Sequence, residues 1–286
     1  MNIIVCVKQV PDPIVVKFNI ETGKLDNIHY LMDLVDEVAI SEAIRIRERD
    51  GGKVTVVTLG PPRSEEVLRN ALKMGVDEAI HLCDEAFDSI DGYSTSVILA
   101  KLISKLKYDI ILCGRESMDE GSGFVGAAIA EWLDLPLVTA VTRLDIFSDT
   151  RIARVHRRLK GGDREILETS LPAVFTVESM LRKPVYPTIK TILAGLKKNI
   201  TKMDAKSLGI DMRSIQPAMA IVAISQPKPR LKKTATIDSK LTAHERMKLL
   251  MSGGSQQKGS KTIEKPPQAA AAEIIQFLIA NGIISR

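Results

Sequence analysis

Short apolar runs alternate with helical patterns from Asn2 to about Leu133, and this alternation narrows the possible folds more than any other feature of the chain. Asn2 to Val7 (NIIVCV) is a buried-strand run. A helix is expected from about Leu34 to Arg49. Val35, Val38, Ala39, Ala43 and Ile46 fall on one face, and Glu37, Ser41, Arg45 and Glu48 on the other. Lys53 to Leu59 (KVTVVTL) reads as a second strand, ended by Gly60-Pro61-Pro62. Ser64 is placed to cap the next helix, with Glu65 and Glu66 in its first turn and Gly75 at its end. Ala79 to Leu82 is a short third strand, Gly92 to Lys107 a helix, and Asp109 to Cys113 a fourth strand. The helix expected from Ser122 to Leu133 is apolar almost all round, with Glu131 its only charge, a pattern that predicts burial. Such units imply an α/β fold of Rossmann-like, doubly wound type with a mostly parallel sheet covered on both faces. Ligands in such folds bind beyond the carboxyl ends of the strands. Here those ends are Cys6 to Val10, Leu59-Gly60 and Gly114 onward, joined by Met32 to Asp36 before the first helix.

Beyond this core, Val138 to Ile146 continues as strand. Arg151 to Leu159 and Arg164 to Thr169 flank Lys160-Gly161-Gly162-Asp163, a β-hairpin addition. Pro172 to Glu178 adds another apolar strand. Lys183 to Thr188 carries two prolines and is expected to be irregular, and Ile189 to Ile200 is a short basic helix candidate. Residues 1–224 therefore read as one α/β domain. Residues 225–286 read as an extended basic C-terminal arm with prolines at 227, 229, 266 and 267 and a Ser252-Gly253-Gly254-Ser255 break. The arm ends in a short apolar helix, Glu273 to Ile284. Embracing a partner, or folding back onto the sheet, would bury that helix; a partner is the preferred reading.

Composition excludes several functions. At 286 residues the chain can bury a sizeable core, and 45% apolar with 26% charged residues is ordinary for a globular protein. An aromatic content of 4% gives too few stacking platforms for single-stranded nucleic acid. The net charge of +5 is concentrated from Lys228 to Lys265, which by itself signals nucleic acid, an acidic partner or a solvated extension. Cys6, Cys83 and Cys113 have no C-x-x-C spacing and sit in or beside apolar runs, as free thiols in a reducing compartment do. The four histidines form no ligand pattern, so no metal is expected. Met1-Asn2 leads straight into a strand, and no apolar stretch has transmembrane length. A cytoplasmic location without membrane insertion is expected.

Gly121-Ser122-Gly123-Phe124-Val125-Gly126 is formally a G-x-G-x-x-G. A glycine loop before a helix lets backbone N–H groups approach a phosphate, and the helix dipole favours its charge. A dehydrogenase fingerprint would follow the first strand directly. This one follows the fourth strand with Arg115 to Glu120 interposed, which points to a nucleotide phosphate but away from NAD. A plain helix-start loop is the competing reading.

Six segments then occur in a telling order: IIVCVKQVPD; MDLVDEVAISEAIRIRE; VVTLGPP with LRNALKMGVDEAIHL; DIILCGRESMDEGSGFVGAAIAEWLDLP; LKGGDREILETSLPAVFTVE; and LRKPVYPTIKTILAGLKK. Together they resemble the beta subunit of electron transfer flavoprotein, to about Gly209. The resemblance implies an electron carrier and not an enzyme. It implies a heterodimer with an alpha subunit that holds a shared redox-active FAD. Flavin dehydrogenases would be the donors, and a membrane-associated or soluble protein the electron acceptor. It further implies an adenine nucleotide in this chain: AMP in ordinary members, a second FAD in electron-bifurcating ones.

Carried over by position, the resemblance places Cys6 near the adenine, Asp33, Leu34, Val35 and Asp36 closing the base, and Leu59 at the second strand end. It places Asp119, Glu120, Gly121, Ser122, Gly123, Phe124, Val125, Gly126, Ala127 and Ala130 around the phosphate. Asp119 is expected to orient the loop and not to touch phosphate. Members usually carry Asn-Pro-aromatic where this chain has Asp33-Leu34-Val35. Bifurcating members usually carry Asp-Gly-Asp-Thr where it has Asp119-Glu120-Gly121-Ser122, so AMP is preferred to FAD here. The resemblance thus makes residues 1–224 a nucleotide-binding domain that includes a partner-docking loop near 178–200, whose Leu181, Arg182, Lys183, Pro184 and Tyr186 match the family's docking loop. Leu181 is expected as an exposed anchor among basic residues, with Lys190, Lys197 and Lys198 steering acidic partners. Two other readings stand beside this one. A stand-alone nucleotide enzyme lacks P-loop spacing and an evident nucleophile–base pair. A nucleic-acid binder lacks aromatics and a recognisable module.

Overall fold

A computed structural model of the chain describes residues 1–19, 22, 25, 26, 28–88, 90–212, 215, 217–219, 222, 242–251 and 264–284. The chain divides into two compact units, Met1–Gln226 and Pro227–Arg286.

The first unit opens with β1 (Asn2–Cys6), then two small ribbons. One pairs β2 (Gln9–Pro11) with β5 (Tyr30–Met32), and the other pairs β3 (Lys17–Phe18) with β4 (Leu25–Asp26). Next come α1 (Leu34–Asp50), β6 (Lys53–Leu59), α2 (Glu65–Met74), β7 (Glu78–Leu82), α3 (Gly92–Ile103), β8 (Ile110–Gly114) and α4 (Val125–Trp132). They are followed by β9 (Leu137–Phe147), β10 (Ile152–Arg158), β11 (Arg164–Ser170), β12 (Ala173–Val177), α5 (Ile189–Leu196), β13 (Ile200–Met203) and α6 (Ala205–Leu208). The main sheet runs β11-β10-β9-β12-β8-β1-β6-β7-β13. It is parallel from β9 to β13, and the β10–β11 hairpin is added antiparallel at the other edge.

The central strands are apolar on both sides because both of their faces are covered. Ile3, Val5, Ile110, Leu112, Phe175 and Val177 pack with α1 and α2 on one face. Ile4, Cys6, Ile111, Cys113 and Val174 pack with α3, α4 and α6 on the other. β11, at the edge, alternates between exposed and half-buried residues instead. The fold is therefore doubly wound, as expected. From β1 the chain builds outward through β6 and β7, then returns to the opposite side of β1 with β8. The order reverses there, at the topological switch point.

Several expectations need correction. Ser64 precedes α2 but makes no side-chain cap; its hydroxyl donates to Gln9 Oε1 at 3.3 Å instead. α3 ends at Ile103, before Lys107. α4 starts at Val125 and not at Ser122, so the glycines at 121 and 123 lie outside it. It is also not buried. Only Gly126, Ile129 and Ala130 are buried, while Trp132 is 50% exposed and Phe124, just before the helix, 43%. An all-apolar pattern does not distinguish a core helix from one that borders an uncovered apolar surface. Ser41 lies on the supposed polar face of α1, yet it is buried, as is Glu42 next to it, under the segment after β12. β13 was not anticipated; it carries only four residues and no strong apolar run. In the second unit, α7 (Ala243–Met251) interrupts the expected extended arm, and α8 (Pro267–Ala280) starts and ends earlier than its apolar run suggested. Most of 225–263 lies outside the described residues. No helix among the described residues is long and apolar enough to cross a membrane.

Candidate functional site

A cavity of about 260 Å³ opens at the switch point, beyond the carboxyl ends of β1, β6 and β8. Its floor is apolar, with Cys6, Leu59, Cys113, Phe87, Ile90 and Leu99. Its rim is polar, with Lys8, Asp91, Arg115, Glu116, Glu120 and Ser122. An apolar slot beside polar groups suits a flat base joined to a polar tail.

Two buried acids assemble the site. Asp33 caps α1: one carboxylate oxygen accepts the Val35 N–H at 3.0 Å, and the other accepts the Met118 N–H at 2.8 Å. The helix start is thereby tied to the loop after β8. Asp36 accepts the Lys8 N–H at 2.7 Å and a backbone N–H from Gly114, so it joins the ends of β1 and β8. Burial, and then the charge of Asp33, push the Asp36 carboxyl well above its ordinary range. A methyl group at Gly114 would lie 2.7 Å from Asp36 Oδ1, so this close approach needs glycine.

The glycine loop is shaped by backbone geometry. Gly121 and Gly123 have φ of 60° and 62°, a left-handed region that side chains enter only at a cost. Gly126 has a different reason. A methyl group there would lie 2.7 Å from Thr176 Cγ2 and 3.2 Å from Cys113 Cβ, so its absence lets α4 sit directly on β8 and β12. Phe124 occupies the N-cap of α4 without a side-chain cap bond. The first turn of this eight-residue helix lines the cavity, and its N-cap side chain offers its amides no acceptor.

Asp119 faces a cation. Its carboxylate accepts from Lys8 Nζ at 2.9 Å and from the Glu120 N–H at 2.8 Å, and Glu120 lies 3.4 Å from the same ammonium. Burial opposes ionisation, but the Ser117 hydroxyl and Lys8 hold the Asp119 carboxyl below its ordinary value. Arg115 is engaged by Glu178 at 2.6 Å, which ties the loop to the end of β12.

Of the expected cofactor residues, the cavity brings together Cys6, Asp33, Asp36, Leu59, Glu120, Ser122, Gly123, Phe124, Val125 and Gly126. Leu34, Val35, Asp119, Gly121, Ala127 and Ala130 do not line it. Leu34 is largely exposed, Val35 packs on the core, and Ala130 is buried on the inward face of α4. Sequence reasoning missed Phe87, Ile90, Asp91, Thr95 and Leu99. The signal was present: the segment after β7 is also a strand end, and Asp91 before Gly92 is an N-cap, with its carboxylate accepting the Ser94 N–H at 2.9 Å. Lys8 was inside an anticipated strand end but had been given no role.

The expected docking residues lie elsewhere, on the segment between β12 and α5. Leu181 is not an exposed anchor; it is half-buried and packs against the core cluster. Arg182 lies 3.7 Å from Glu42, and Lys198 Nζ donates to the Val76 carbonyl at 2.6 Å, so neither is a free cation. Lys183 and Pro184 are exposed, and Tyr186 is 93% exposed beside exposed Val185 and Ile189. The segment is held from beneath. The Val185 N–H donates to Ser41 Oγ at 3.1 Å, and Gly195 of α5 touches the end of α2 so closely that a methyl group would lie 2.4 Å from the Leu72 carbonyl oxygen.

Among the described residues no group of three or more His, Cys, Asp or Glu side chains is placed to hold a metal ion.

Comparison with known proteins places this geometry in context. The family described as "Electron transfer flavoprotein domain" matches residues 26–208. The chain is 43% identical over 218 residues to the electron transfer flavoprotein subunit beta of Thermoanaerobacterium thermosaccharolyticum, covering 75% of this chain and 83% of the relative. It is 37% identical over 214 residues to the caffeyl-CoA reductase-Etf complex subunit CarD of Acetobacterium woodii, covering 73% and 80%. It is 35% identical over 225 residues to the electron transfer flavoprotein subunit beta of Bacillus subtilis, covering 78% and 86%.

Proposed function

The chain belongs to the electron transfer flavoprotein family, as a beta subunit, and on that premise we propose that it pairs with an alpha subunit and carries electrons without making or breaking substrate bonds. The redox-active FAD is held mainly by that alpha subunit. Dehydrogenases that bear flavin deliver the electrons, and a soluble or membrane-associated protein receives them. The switch-point cavity of this chain binds an adenine nucleotide, with AMP preferred.

The observation that carries the nucleotide reading is the cavity itself. A base fits against Cys6, Leu59, Phe87 and Leu99, and a phosphate meets the uncapped amides at the start of α4. Asp91, Glu116 and Glu120 stand on the rim of that space, against Lys8 and Arg115, which are already engaged by acids. Such a rim repels a chain of phosphates more than a single one. This favours AMP over the diphosphate of a second FAD. Tyr186, Lys183, Val185 and Ile189 support a docking role for the segment after β12, with Leu181 acting from beneath as its packing foot.

The test is the nucleotide content of the complex co-purified with its alpha subunit, read by absorbance and chromatography after denaturation. One FAD and one AMP per heterodimer is expected. Two FADs would place a flavin in this chain and make electron bifurcation the leading reading. A chain that never associates with an alpha subunit would sink the assignment as a whole.

A further inference from the structure

We propose that Cys6 and Cys113 form a reversible thiol–disulfide pair on the floor of the switch-point cavity, oxidised by hydrogen peroxide entering through the cavity mouth. The two residues are direct partners in the parallel register of β1 and β8. Alternation along both strands sends them to the same sheet face, into the cluster under α3 and α4. Partnered Cα atoms on neighbouring strands lie about 4.7–4.9 Å apart, inside the span of about 4.4–6.8 Å that a disulfide bridges. Both sulfurs belong to the same buried cluster, and Cys6 is the neighbour that most influences the Cys113 thiol. Both line the cavity, so a small oxidant reaches them without opening the core. Cys83 follows β7 and does not line it.

The environments of the two sulfurs assign their roles. Cys6 is the more open, 8% exposed against 4% for Cys113. The neighbouring Cys6, then burial, hold the Cys113 thiol protonated well above its ordinary range. A protonated thiol is a poor first nucleophile. Cys6 therefore meets the oxidant. Its thiolate attacks one peroxide oxygen, the O–O bond breaks, and hydroxide leaves to take up a proton. The resulting Cys6 sulfenic acid is attacked by the Cys113 sulfur, and the sulfenic oxygen departs as water with the Cys113 proton. Two thiols and one peroxide give one disulfide and two waters; the sulfurs lose two electrons and the peroxide gains them. A dithiol reductant reverses the bond by thiol–disulfide exchange.

A ligand seated on this floor covers both sulfurs. Shielding by nucleotide rests on the proposed adenine-nucleotide reading; bond formation does not. The experiment treats the full-length chain with hydrogen peroxide, with and without added AMP, then blocks free thiols in denaturant and maps peptides by mass spectrometry without reduction. The expected result is a peptide joining Cys6 to Cys113, a fall from three free thiols to one, and recovery of all three with dithiothreitol. Cys113→Ser is expected to leave Cys6 as a sulfenic or more oxidised acid with no crosslink. Oxidation confined to Cys83, or loss of Cys6 and Cys113 thiols without a peptide joining them, overturns the pair. A crosslink that forms equally fast with saturating AMP supports the pair and counts against the nucleotide site.

Discussion

The Asp36 carboxyl accepts the Lys8 backbone N–H at 2.7 Å, so the first turn of α1 is fastened to the chain leaving β1. The same carboxyl takes the Gly114 N–H. One side chain thus holds together the two strand ends between which the cavity opens.

Asp36→Ala removes both acceptors and leaves two amides in a sparsely hydrated place, each costing about 1–3 kcal/mol. A lowered melting temperature and weaker nucleotide retention are expected. The parent should also carry a pH signature. Because the folded pKa is raised above 3.8 by burial and Asp33, the folded state keeps a proton that the unfolded chain has lost. Stability from this group falls as pH rises through that window. Denaturant titrations across acid to neutral pH should show the slope in the parent and not in Asp36→Ala; equal slopes refute it.

Gly126→Ala and Gly123→Ala should fail for different reasons. The first drives a methyl into Thr176 and Cys113 and is expected to cost about 1–3 kcal/mol of overpacking. The second forces alanine into φ near 62°, at a cost of about 1–2 kcal/mol. Both should loosen nucleotide binding. Melts that match the parent for both would show that the loop tolerates movement that the structure does not suggest.

His81 is fully buried, with Nε2 facing the Gly60 carbonyl at 3.0 Å and Nδ1 without a hydrogen-bond partner. Burial holds its pKa below 6.5. The unfolded chain therefore binds a proton that the folded chain refuses, and stability is lost as pH falls from 6.5 through the folded value. His81→Leu should flatten that part of the stability curve, measured by urea unfolding. A curve of unchanged shape assigns the acid sensitivity elsewhere.

Tyr186→Ala should melt like the parent, because its ring contributes almost no buried area, yet slow electron delivery from a partner dehydrogenase. Leu181→Ala should differ by lowering the melting temperature, since removing a half-buried leucine from the cluster costs up to about 2–5 kcal/mol. Unchanged transfer rates in Tyr186→Ala, assayed in the reconstituted heterodimer, would remove that residue from the docking surface.

The doubly wound core was legible because its strands are continuous apolar runs that alternate with helical segments. NIIVC, KVTVVTL and AVFTV could hardly lie anywhere but between two layers. The glycine loop was legible for a related reason: Gly121 and Gly123 solve a local backbone problem. Gly126 answers a packing problem with residues 13 and 50 positions away, which no local pattern announces. Ser41 reads as a polar-face residue because periodicity knows nothing of the segment near Val185 that covers it. Leu181 was misplaced by the same blindness, since an isolated leucine among basic residues looks the same whether it points out or in.

Ser41 and Glu42 follow Asp36 on α1 by five and six residues, about 7.5 and 9 Å along the axis. The helix that closes the cavity is therefore also the beam on which the exposed segment after β12 is laid. For an engineer this makes the two inseparable. Grafting residues 181–188 onto another scaffold would leave their footing behind, and resetting α1 to admit a larger ligand would carry the partner-facing segment along with it.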